Sequence, residues 1–157
     1  MTTPLRLEQS RAIPASPEEA FDLVLPTPLT EIFSRRYGPL PPIRGVRDQD
    51  GVWANVGQTR TILLADGGTM REELTKVERP TEFAYRIDGI TGAMKPLVSS
   101  VDGRWSFAPA GTGVRITWAW TVHPASGVAN LAMPVFARLW RGYARQALEQ
   151  IEGLLLR

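Results

Sequence analysis

Cysteine is absent from the chain, and histidine occurs once, at His123. Disulfide scaffolds, thiolate zinc sites and cysteine nucleophiles are therefore excluded, and so is a multi-histidine metal centre. Lysine is scarce too. Lys76 and Lys95 are the only two, and every other basic residue is arginine. The arginines are scattered, and 18 basic residues against 16 acidic ones leave a net charge of +2. Nucleic-acid binding needs a concentrated basic stripe to displace counterions, so it is not expected here. Long apolar runs are also missing. The longest candidate, Gly127 to Ala137, contains Asn130 and Pro134 and falls short of the about 18 residues a membrane span needs. The first residues, Met-Thr-Thr-Pro-Leu-Arg-Leu-Glu, show no basic region followed by an apolar stretch. No export signal and no stable membrane insertion are expected, and the cytoplasm is the expected location.

What is present suits a folded globular chain. The 157 residues are 43% hydrophobic and 22% charged, which argues against disorder and for a single domain over residues 1–157. Leu5 to Ile13 reads as a strand, stopped by Pro14. Ser16-Pro17-Glu18-Glu19 then opens a helix: Ser16 caps, Pro17 fits the first helical position, and Glu19 reaches back as the capping-box partner. Thr27-Pro28 looks like a second start, leading a short helix through Ile32 and Phe33 towards Gly38. Pro39, Pro41 and Pro42 forbid regular structure, so this segment reads as a stiff connector or as a lid over a cavity.

From Ile43 to Val122 strands alternate with turn signals at Asp50-Gly51, Asp66-Gly67-Gly68, Arg79-Pro80 and Ala110 to Gly113. With no intervening helices, the strands form an antiparallel meander. A long amphipathic helix closes the chain, about Ala132 to Leu156, with Arg138, Arg141, Arg145, Glu149 and Glu152 on its polar face. Those arginines read as a solvated face with helix-spaced glutamate partners, or as a surface for anionic lipid. In the last strand Val114, Ile116, Trp118, Trp120 and Val122 alternate with Arg115, Thr117, Ala119, Thr121 and His123. The first set is expected to face the helix, together with Val101, Trp105 and Phe107 of the strand before it. Either these wide aromatics fill the gap beneath the helix, or they line a space held open by the curl of the sheet.

Taken together, several segments resemble the SRPBCC superfamily, which includes START domains and polyketide cyclase/dehydrase-like proteins. They are Ile13 to Phe21, Leu64-Ala65-Asp66-Gly67-Gly68, Glu73-Leu74-Thr75 to Arg79-Pro80 with Phe83-Ala84-Tyr85, Gly103 to Phe107, Gly113 to Trp118, and Ala147 to Glu152. The resemblance implies an α+β helix-grip fold: a curved antiparallel sheet of about seven strands wrapped around the long C-terminal helix, with two short helices after strand one. It further implies a cavity for a small hydrophobic ligand, a lipid, polyketide or similar molecule. The residues expected to line it are Phe33, Arg60, Ile62, Glu73, Phe83 and Tyr85, with Trp105, Trp118, Trp120, Phe136 and Trp140.

Glu72 and Glu73 are adjacent, so in a strand they face opposite ways. Period-two grouping with Thr75, Val77, Phe83 and Tyr85 selects Glu73 as the inward one, and Arg60 on the neighbouring strand is its nearest partner. Such a carboxylate is a paired structural group, a ligand anchor, or a general base with its pKa raised by burial. Tyr85 offers a hydroxyl to a ligand carbonyl, and His123 reads as a surface residue. No Ser-His-Asp set, P-loop or dinucleotide fingerprint is present. No catalytic residue, metal or cofactor is assigned. A carrier or sensor of a hydrophobic molecule is expected, the alternative is a polyketide cyclase/dehydrase-type enzyme, and the oligomeric state stays open.

Overall fold

A computed structural model describes residues 2–157. Helix α1, Pro17–Val24, begins as its sequence dictates. Ser16 Oγ accepts from the Glu19 amide at 3.1 Å, and Glu19 Oε1 accepts from the Ser16 amide at 3.1 Å. These two bonds satisfy donors that the first helical turn otherwise leaves open. A single turn, α2, follows at Leu29–Ile32.

Strand β1, Leu5–Ile13, precedes the helices. After them come β2, Ile43–Arg47; β3, Thr59–Leu64; β4, Thr69–Glu78; and β5, Glu82–Asp88. Strands β6, Val98–Ala110, and β7, Gly113–Pro124, are the longest, and helix α3 spans Met133–Leu155. All pairings are antiparallel, and the sheet order is β1-β7-β6-β5-β4-β3-β2. Strands β1 and β2 therefore occupy opposite edges, and α1 and α2 carry the chain between them. This is the expected helix-grip architecture, a curled sheet closed over its concave face by the long helix.

Period-two alternation holds throughout β7. Val114, Ile116, Trp118, Trp120 and Val122 are all buried, while Arg115 is exposed and the residues between are only partly covered. Helix α3 answers with Met133, Phe136, Ala137, Trp140, Ala144, Ala147, Leu148 and Ile151, a buried stripe at helical spacing. Its 23 residues extend about 35 Å. No helix among the described residues is long and apolar enough to cross a membrane.

The proline-rich connector lies against α3. The Tyr37 ring fills the place a side chain at Gly142 would take, the Tyr143 hydroxyl donates to the Pro41 carbonyl at 2.8 Å, and the Phe33 and Tyr143 rings stack at 5.6 Å. One expectation is corrected here. Glu149 and Glu152 do not pair with arginines of their own helix: Glu149 lies 3.6 Å from Arg35 and Glu152 2.7 Å from Arg11. Both glutamates stand on the edge of the helix that faces other elements, so they tie α3 to the connector and to β1. Exposed pairs of this kind contribute at most about 1 kcal/mol each.

Two glycines separate packing from propensity. A Cβ at Gly113 would sit 2.4 Å from the Ile13 carbonyl oxygen, a backbone atom that cannot swing aside. One at Gly153, inside α3, would meet nothing within 4 Å. Denaturant unfolding of Gly113→Ala is expected to lose about 1–3 kcal/mol, whereas Gly153→Ala gains about 0.4–1 kcal/mol.

Candidate ligand cavity

The inner faces of β3 to β7 and the first half of α3 line a narrow, partly open space of about 80 Å³. Roughly 150 Å³ is the size of an apolar cavity that takes up benzene, so only part of that room is open here. Most of the interior is ring against ring. Trp118 is the hub: it stacks on Trp105 at 5.3 Å, meets Trp140 at 4.8 Å and Phe33 at 5.0 Å, and abuts Trp120 edge-on at 5.5 Å. A second aromatic group, Phe21, Phe83 and Phe107, continues the core beneath α1.

Ten of the residues expected on the lining share this space. Phe33 comes from the connector, Arg60 and Ile62 from β3, and Phe83 and Tyr85 from β5. Trp105, Trp118 and Trp120 come from β6 and β7, and Phe136 and Trp140 from α3. Leu29, Ile32, Leu40 and Pro41 join them, so the connector forms one wall of the space. His123 faces away, with Nε2 2.9 Å from Asp102 Oδ2.

The eleventh residue is a correction. Glu73 points outward and lies 3.7 Å from Arg71, whereas Glu72 is the buried carboxylate. The reason is a bulge in β4. Leu74 pairs with Tyr85 but Lys76 pairs with Ala84, so one residue is added between them. The inward set runs Met70, Glu72, Leu74 and then jumps to Val77, and extrapolating back from Val77 in steps of two lands on the wrong glutamate.

Arg60 is indeed the partner. It stands directly opposite Glu72 in the β3–β4 register, and its Nε donates to Glu72 Oε1 at 2.7 Å, with both side chains 5% exposed. Arg60 Nη1 also donates to Gln49 at 3.2 Å, and the guanidinium lies 3.9 Å over the Trp53 ring. Trp53 was missed by sequence reasoning because it sits in a loop. Gln58 builds that loop: its Oε1 accepts from the Ala54 and Asn55 amides, and its Nε2 donates to the Asp50 and Val52 carbonyls. A tryptophan between turn glycines was the one signal available.

Tyr85 is held differently. Its oxygen accepts from the indole N–H of Trp118 at 2.7 Å and of Trp120 at 2.8 Å. Gly103, opposite it on β6, leaves the room its ring occupies. Burial, reinforced by the nearby Glu72 charge, pushes the phenol pKa up, so Tyr85 stays protonated. Burial also raises Glu72 above the usual carboxylate value of 4.5, against the opposing pull of Arg60. Among the described residues no cluster of potential metal ligands occurs.

A curled antiparallel sheet gripping one long helix defines the helix-grip class of folds. The chain belongs to the polyketide cyclase/dehydrase and lipid transport family, whose model matches residues 4–155, and thus to the SRPBCC superfamily. Solved structures agree in fold. Norcoclaurine synthase from Thalictrum flavum superposes with a TM-score of 0.73 at 13% identity, covering 99% of this chain and 88% of that one. Ara h 8.0201 gives 0.67 at 16% identity, over 98% and 99% of the two chains. Protein Ms6760 from Mycobacterium smegmatis gives 0.65 at 21% identity, over 96% and 90%. No curated protein sequence matches the chain.

The ion pair yields a pH test. Replacing Arg60 by Leu leaves Glu72 buried without its cation, which costs about 3–5 kcal/mol. Folding then raises the Glu72 pKa further. Stability is full below the unfolded carboxylate value and is lost as pH climbs through the folded one. Chemical unfolding of Arg60→Leu is expected to give lower stability at pH 8 than at pH 5, with Arg60→Leu/Glu72→Leu removing that dependence.

Proposed function

We propose that this protein binds one small hydrophobic molecule, a lipid, polyketide or similar compound, between the sheet and α3. One observation carries the reading. The space is walled almost entirely by aromatic and aliphatic side chains, with Arg60, Glu72 and Tyr85 as its few polar groups. Apolar burial at about 25 cal/mol per Å² supplies the affinity, and the polar groups orient the guest. The open volume is small, so even a benzene-sized guest spreads the lining as it enters. The connector wall is the part suited to move, because it is held to α3 by the Tyr143–Pro41 hydrogen bond and ring contacts and not by a strand ladder. We take the cytoplasm as the place of action, since a chain without cysteine has no disulfide that calls for an oxidising compartment.

The buried Glu72, with its raised proton affinity, favours a second reading as a cyclase/dehydrase-type enzyme in which it moves a proton. In an assay that detects turnover of a polyketide chain, Glu72→Gln separates the two. Unchanged turnover removes that role, and loss of turnover with binding retained supports it.

Native mass spectrometry of the purified protein is expected to show a small-molecule adduct, and Nile red a saturable rise in emission. Ile62→Phe, which fills part of the space, is expected to weaken Nile red binding about tenfold while the fold stays intact. A protein without adduct that also leaves Nile red dark contradicts the proposal.

A further inference from the structure

Two hydrogen-bond donors beside the cavity lack an acceptor among the described residues. A phenol offers one proton and two acceptor sites. Both acceptor sites of Tyr85 are taken by Trp118 and Trp120, so the one capacity left is its own O–H. No described residue accepts that proton, although Tyr85 is only 5% exposed. The Trp140 indole N–H is likewise buried without a hydrogen-bond partner among the described residues. Both side chains belong to the lining. The remaining charges neutralise each other, since Arg60 and Glu72 form a direct pair. A buried donor with no acceptor costs free energy, and a guest that supplies the acceptor recovers it.

We infer that Tyr85, fixed as a donor by its two indole partners, selects neutral planar guests bearing an acceptor oxygen, an aryl ketone being the simplest form. This deepens the reading of the cavity as a ligand site and rests on it. Guests with the same shape but no oxygen leave the Tyr85 proton unpaired and bind more weakly. Gly103 belongs to the device as a positioning residue. A Cβ there would lie 2.1 Å from Tyr85 Cζ and 2.5 Å from its oxygen, so the ring reaches the indoles because that side chain is absent.

Acetophenone and α-methylstyrene are near-isosteres that differ by an oxygen in place of a methylene, and calorimetric titration compares them directly. Wild-type protein is expected to bind acetophenone about fivefold more tightly, the worth of one hydrogen bond. Tyr85→Phe is expected to erase this preference while retaining α-methylstyrene binding. If the loss of the shared acceptor unfolds that variant, Gly103→Ala serves instead: it keeps the hydroxyl but displaces it, and it too is expected to close the gap. Equal binding of both compounds by the wild type, or a preference that survives both substitutions, overturns the inference and leaves the cavity standing. Binding of neither compound overturns the inference, and with dark Nile red it overturns the cavity as well.

Discussion

The contact of Trp140 with the rings of the sheet sets the distance at which α3 rides. Trp140 meets Trp118 at 4.8 Å and Trp120 at 5.8 Å, so the first half of the helix rests on wide aromatic surfaces. Further along, its buried positions include Ala144 and Ala147 beside Leu148 and Ile151, and the two alanines let backbone approach strand. The helix is therefore propped at one end and seated at the other. The cavity follows from that difference: its lining takes Phe136, Trp140 and Tyr143 from α3 and nothing C-terminal to them.

For the proposed binding role, an interior this full of rings is a compromise between stability and admission of a guest. Aromatic pairs contribute about 0.5–1.5 kcal/mol each beyond their area burial. A guest that displaces Phe33 from Trp118 loses such contacts and restores similar ones with its own ring. The exchange is nearly balanced, so a small resting volume is compatible with binding. Polar groups behave otherwise. Arg60, Glu72 and Tyr85 are held by 2.7–2.8 Å hydrogen bonds, and what they present to the cavity is fixed in direction before any guest arrives.

Most of the frame was legible from residue order. The capping box of α1, the inward set of β7 and the stripe of α3 are local patterns, each decided by the nearest few residues, and each formed as read. Ten of eleven expected lining residues share one space for the same reason: they sit on strands and a helix whose alternation is regular, or just beyond Ile32 in the connector. The failures have a common cause in non-local geometry. The bulge after Leu74 is invisible to a period-two count, and it exchanged Glu72 for Glu73. Trp53 reaches Arg60 from a loop whose shape depends on Gln58, eight residues after Asp50, and no periodicity marks a loop. Glu149 and Glu152 found arginines distant in sequence, at positions 35 and 11, which only the assembled fold brings near.

Co-crystallisation with bromobenzene tests the central claim most directly, because bromine reports its own position by anomalous scattering. The account expects a single strong bromine peak beneath the first half of α3, between Ile62, Trp118 and Phe136, with the connector wall displaced outward. A protein whose interior stays closed to bromobenzene at saturation, with bromine found solely on the outer surface, would contradict it.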